Sequence, residues 1–104
     1  MIANTPKPPY YAVIFSSILN ESDNQNYQKM AVTMENLAKQ QPGFLGFESA
    51  REDIGITISF WRDLESIKQW KNNSEHKVAQ QQGKDYWYKA YTTRICKVER
   101  DYHL

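Results

Sequence analysis

The 104-residue chain holds one cysteine, two histidines, four glycines and four prolines, and each scarcity closes off a class of protein. A single thiol, Cys96, excludes an internal disulfide, and two imidazoles cannot complete a Cys/His set at zinc or iron–sulfur spacing. No protein-built metal site is expected. Thirteen basic side chains against 12 acidic ones leave a net charge of +1, with no cluster of Lys and Arg to neutralise phosphates. Nucleic acid and membrane are therefore not expected partners. The longest apolar run near the N-terminus, Ala12 to Phe15, is too short for a secretion signal or a membrane span, so the expected compartment is the cytoplasm. Leu, Ile, Val and Phe together number 21, close to the composition of disordered chains, but the balanced charge removes the second requirement for disorder. A folded chain of this length forms one domain and buries only about two-thirds of its unfolded surface. A second copy of the chain would enlarge that small core.

Residues 1–9 (MIANTPKPP) carry three prolines and no periodicity and read as an extended, mobile tail. Tyr10 to Ile18 is a β-former run with Tyr11, Val13 and Phe15 on one face and Ala12, Ile14 and Ile18 on the other, so both faces need cover. Ser22 followed by Gln25 fits a capping box and opens a helix whose stripe is Tyr27, Met30, Ala31, Met34, Leu37 and Ala38, ending at Pro42-Gly43. Phe44 to Arg51 and Ile56 to Trp61 read as two strands joined through Glu52-Asp53-Ile54-Gly55, a hairpin. Asp63 is placed to cap a short helix carrying Leu64, Ile67 and Trp70, broken at Asn72-Asn73-Ser74 and resumed from a Ser74 cap through Ala79. Gly83 ends that piece. Tyr88 to Val98 is the last strand, and a polar tail follows it, residues 101–104. The order β-α-β-β-α-β is that of an α+β, ferredoxin-like domain over residues 10–100. Two helices cover one face of its sheet, and another copy of the same sheet is the simplest cover for the second face.

The stretch PGFLGFESAR (42–51), the strand end Phe60-Trp61, RDLESIKQW with Trp70, SEH with His76, Gly83 and the closing WYKAYTTRICKVER (87–100) resemble the antibiotic-biosynthesis monooxygenase family. The resemblance implies a dimeric α+β barrel, a homodimer in which two such sheets pack face to face and each subunit keeps a small cavity between sheet and helices. It also implies monooxygenase chemistry on an electron-rich aromatic with no metal or flavin in one branch, so no cofactor, and haem degradation in another. The haem branch needs an Asn on the first strand and a His ten residues after the helix Trp. Here the first strand has no Asn and the tenth residue after Trp70 is Gln80. Haem ligation is not expected.

Four side chains are candidates for a site. His76 is the one histidine inside the folded region, and an ordinary pKa near 6.5 makes it the natural proton acceptor there. A cap or surface role is its bland alternative. Arg94, a permanent cation in mid-strand, would stabilise an anion, or else pair with Glu48 on the second strand. Trp70 is either a core wedge or, as the resemblance implies, a cavity wall, and Trp61 divides the same way. Cys96 reads as a buried small hydrophobe. Two other functions compete with oxygenation. One is a non-catalytic dimer that binds a small hydrophobic ligand. The other is RNA binding by a sheet of this order, which the third strand GITISFW opposes because it lacks the basic-Gly-aromatic signature.

Overall fold

The computed structural model describes residues 1–20, 24–80 and 87–104. Strands β1 (Tyr10–Leu19), β2 (Phe44–Arg51), β3 (Gly55–Trp61) and β4 (Tyr88–Val98) alternate with helices α1 (Asn24–Lys39) and α2 (Leu64–Gln80) in the order β1 α1 β2 β3 α2 β4. The strands form one antiparallel sheet in the order β2-β3-β1-β4, which is the ferredoxin-like α+β arrangement. The bounds of β2 and β4 agree with the sequence reading, and β1 and β3 each gain one residue. The expected capping box at Ser22 and the stop at Gly83 lie outside the described residues.

Directly opposed residues of an antiparallel ladder share a face. Phe44, Trp61 and Tyr11 therefore stand in one row, and Phe47, Ser59, Val13 and Ile95 in the next. These rows carry the helices. Trp61 is fully buried with Ala38 of α1 and Ile67 of α2, and Tyr11, Val13, Phe44 and Trp70 pack around the three. Its indole N–H donates to Ser59 Oγ at 2.8 Å, so burying the ring leaves no orphaned donor. Phe44 meets it edge-on at 5.5 Å and Trp70 stacks on it at 5.8 Å. Gly43 turns the chain from α1 into β2 at φ 85°, where a Cβ would also overlap Ser66 of α2.

Two sequence expectations for α2 are corrected. The helix runs unbroken through Asn72-Asn73-Ser74, because these polar side chains find partners that a helix permits. Ser74 Oγ donates back to the Lys71 carbonyl at 3.0 Å rather than capping a new helix, and the Asn73 amide donates to Gln41 Oε1 at 2.9 Å. Leu64 is exposed rather than part of the buried stripe, since it sits just beyond the cap and before the turn that meets the sheet. Asp63 caps as expected, its Oδ1 accepting from the Ser66 N–H at 2.7 Å.

The opposite face of the sheet carries no helix. Tyr10 and Ala12 are nonetheless buried there, under the chain's own ends. Tyr10 lies edge-on to Phe60 and donates to Asp101 Oδ2 at 2.6 Å, with Thr5 Oγ1 at 2.9 Å from the same hydroxyl. Residues 1–9 are extended along this face: the Ala3 N–H donates to Glu48 Oε2 at 2.9 Å, and a Cβ on Gly46 would come within 2.7 Å of Ala3 Cβ. Ile18, Ile56, Arg94 and Cys96 are exposed on this face, so within one chain Cys96 is not the buried hydrophobe expected of it.

Replacing Trp61 by Ala is expected to cost about 3–5 kcal/mol, the scale for an emptied aromatic site, and Ser59→Ala about 1–3 kcal/mol for an unsatisfied indole N–H. Denaturant midpoints at unchanged m-value measure both. The Ser66 hydrogen bonds to Asp63, backbone first, hold its carboxyl below the ordinary carboxylate value. The cap therefore adds stability above about pH 4 and loses it as the pH falls further. The melting midpoint should fall less with descending pH in Asp63→Asn than in the parent.

Candidate functional site

The four residues singled out in the sequence do not converge. His76 is exposed on α2, on the helix side of the sheet. Arg94 stands opposite Ile14, in the row Glu48, Ile58, Ile14, Arg94 on the helix-free side. The sheet separates the two proposed catalytic groups, so they cannot meet one substrate within one chain. Nor is Glu48 the partner of Arg94. The order β2-β3-β1-β4 puts them on opposite edge strands, three strand spacings or about 14 Å apart, and Glu48 instead accepts from Ala3. Trp61 has no exposed surface at all and cannot touch a ligand, whereas half-buried Trp70 packs against the core and keeps some exposed surface.

A different constellation does converge, on the helix side at the end of the sheet away from Trp61. Phe15 of β1 meets Tyr88 at 5.4 Å and Tyr91 at 5.5 Å on β4, and Tyr27 of α1 meets Tyr88 edge-on at 5.8 Å. Such pairs add about 0.5–1.5 kcal/mol each beyond burial and fix the rings relative to one another. Hydroxyl-bearing residues complete the row of Phe15: Thr57 stands opposite it on β3 with Ser49 beyond, their hydroxyls 3.1 Å apart, and Thr93 stands opposite it on β4. Arg51, at the end of β2, turns its guanidinium into this cluster, 5.6 Å above the Tyr27 ring.

Electrostatics divide the cluster's roles. Burial, the Tyr27 hydroxyl and its hydrogen bond hold the Tyr88 phenol far above the ordinary tyrosine value, outweighing the lowering effect of Arg51. Tyr88 is thus a neutral hydrogen-bond donor, never a base, at any working pH. Arg51 is the cation of the cluster. Among the described residues no group of three or more His, Cys, Asp or Glu side chains could hold a metal ion, and no helix is long and apolar enough to cross a membrane.

The sequence reading missed Arg51, Tyr27 and Tyr88 as site residues. Tyr27 fell on a helical stripe that reads as core, and Arg51 at a strand end reads as solvated. One signal was present: Gly55 stands directly across the hairpin from Arg51, and a glycine in a strand marks close approach of another group.

The family model for antibiotic biosynthesis monooxygenase matches residues 9–82. The chain is 46% identical over 101 residues to the uncharacterised protein YqjZ of Bacillus subtilis (strain 168), covering 95% of this chain and 88% of that protein. It is 28% identical over 92 residues to a jasmonate monooxygenase of Pyricularia oryzae, covering 85% of this chain but only 43% of the fungal enzyme. Among solved structures, a variant of SnoaB, a cofactor-independent oxygenase from Streptomyces nogalater, superposes with a TM-score of 0.72 at 9% identity over 88% of this chain and 95% of that one. A Pseudomonas aeruginosa protein superposes with a TM-score of 0.69 at 13% identity, covering 93% and 99% of the two chains. At such identities the likeness is one of fold. The family model, by contrast, matches the sequence from the start of β1 to the end of α2, and on that match the chain belongs to the antibiotic biosynthesis monooxygenase family.

Proposed function

We propose that this protein is a monooxygenase that works without metal or flavin on a small electron-rich aromatic of the quinol type. The observation that carries the reading is the cluster of Phe15, Tyr27, Tyr88 and Tyr91 beside a fixed guanidinium, aromatic faces and a cation suited to a planar, acidic ring. The names of two relatives, a jasmonate monooxygenase and a cofactor-independent oxygenase, lend it support. In this chemistry the substrate supplies the electrons. A hydroquinone gives up a proton, its anion reduces dioxygen by one-electron steps, and the protein contributes a base, a counter-charge for the anion and exclusion of water. His76, on the helix side, is the proposed base, while Trp70, stacked on Trp61 at the other end of the sheet, supports the core beside the site rather than walling it. Arg94, across the sheet, drops out of a site built within one subunit.

The proposal includes a homodimer in the cytoplasm. Ile18 and Ile56 remain 44% and 41% exposed on the helix-free face after the chain's own ends have covered the Phe60 end, and a second sheet would bury them. A second reading, a dimer that binds a small hydrophobic ligand without turning it over, is favoured by one observation: His76 is exposed rather than enclosed with the aromatic rings.

Light scattering should give twice the 12.3 kDa chain mass at micromolar concentration, and a monodisperse monomer would remove the dimer. Metal-free protein should accelerate oxygen uptake by anthrones, naphthoquinols or catechols. His76→Ala should lower kcat about a hundredfold or more with the dimer intact. Binding that protects against heat, with no turnover above the rate without protein, would establish the ligand-binding module instead. Hemin should give no saturating one-to-one Soret shift.

A further inference from the structure

Arg51 ends β2, where a cation would ordinarily extend into water, yet its guanidinium folds back across two strands. Gly55 stands opposite it on β3, and Ser17 stands opposite Gly55 on β1. The guanidinium lies directly on Gly55, where any Cβ would overlap its central carbon. Beyond the glycine it reaches Ser17, donating to the carbonyl at 3.2 Å and to Oγ at 2.5 Å. Ser17 is only 2% exposed, so the anchor is a buried one. The Tyr27 ring closes the other side, with its hydroxyl 3.5 Å from Nη2. Among the described residues these contacts occupy three of the five N–H groups of a guanidinium and leave two for a ligand. Arg51 itself remains exposed, hence open to one.

We infer that Arg51, anchored by Ser17 and admitted by Gly55, holds the oxyanion of an aromatic ligand, a phenolate or enolate, whose ring lies against Phe15, Tyr88 and Tyr91. The inference rests on the reading of the substrate as an acidic aromatic. A cation already immobilised loses little further freedom on binding, and a planar guanidinium beside aromatic rings suits a planar anion. Tyr88, kept protonated by burial, adds no competing negative charge beside that oxygen. The glycine is the specific element, since a strand residue with a side chain at position 55 would exclude the arginine from Ser17.

Two probes that dioxygen does not oxidise separate this inference from the oxygenase reading: 4-nitrophenol, used above its pKa as the phenolate, and 4-nitroanisole, its methyl ether. The parent protein should bind the phenolate about tenfold or more tightly than the ether, the scale of a hydrogen bond to a charged group. Arg51→Gln should abolish that preference while leaving the ether's affinity unchanged, and Arg51→Lys should restore part of it. Gly55→Ala displaces only the flexible end of Arg51 and should reproduce the loss, which keeps the test open if Arg51→Gln fails to fold. Equal affinity for the two probes, an unchanged preference in the variants, or no binding of either overturns the inference. Quinol turnover undiminished in Arg51→Gln removes Arg51 and leaves the oxygenase. A phenolate preference without quinol turnover in the parent removes the oxygenase and leaves Arg51.

Discussion

The burial of Trp61 is the constraint on which the rest depends. It is the largest fully buried side chain of the described residues, it sits at the end of β3, and both helices meet on it through Ala38 and Ile67. Its indole would carry an unsatisfied donor into the core but for Ser59, two residues earlier on the same face of the same strand. That spacing is available only in a strand, where residues two apart share a face. Packing and polar satisfaction therefore require the same local geometry, and the orientation of α2 relative to β3 follows from it.

From that anchor the two faces of the sheet acquire different work. The helix side is apolar at the Trp61 end and turns polar and aromatic towards Ser17, where the arginine of the hairpin enters. On the helix-free side the termini are pinned to the sheet by Ala3 to Glu48 and Tyr10 to Asp101. Asp101 is held below its ordinary value, chiefly by the Tyr10 hydroxyl, so it is an acceptor for that phenol throughout the neutral range. The covered strip next to an open strip of isoleucines limits where a second sheet can sit. In this arrangement the tail that looked like a free end covers part of the helix-free face of its own sheet.

Close approaches at glycine recur at each of these junctions. Gly43 lets α2 come down over the turn before β2, Gly46 lets Ala3 lie on β2, and Gly55 lets a guanidinium cross the sheet. Only the first needs a positive φ; the other two need room. A sequence with four glycines has thus placed three of them where another part of the chain must touch backbone.

The sequence by itself determined the element order, the strands β2 and β4 to the residue and the Asp63 cap, because each rests on local periodicity or on one side chain bonding its own neighbourhood. It also carried the family resemblance, through motifs spread over β2, α2 and β4. Only the tertiary structure decided which residues share a site. Strand order sets Arg94 and Glu48 at opposite edges and the sheet plane divides Arg94 from His76, and neither strand order nor face is visible in one strand's alternation. The break expected in α2 failed for the same reason: the partner of Asn73 is Gln41, 32 residues away. Arg51 was illegible as a site residue because its anchor, Ser17, lies 34 residues earlier and two strands across, a separation that only a paired sheet brings to hydrogen-bond distance.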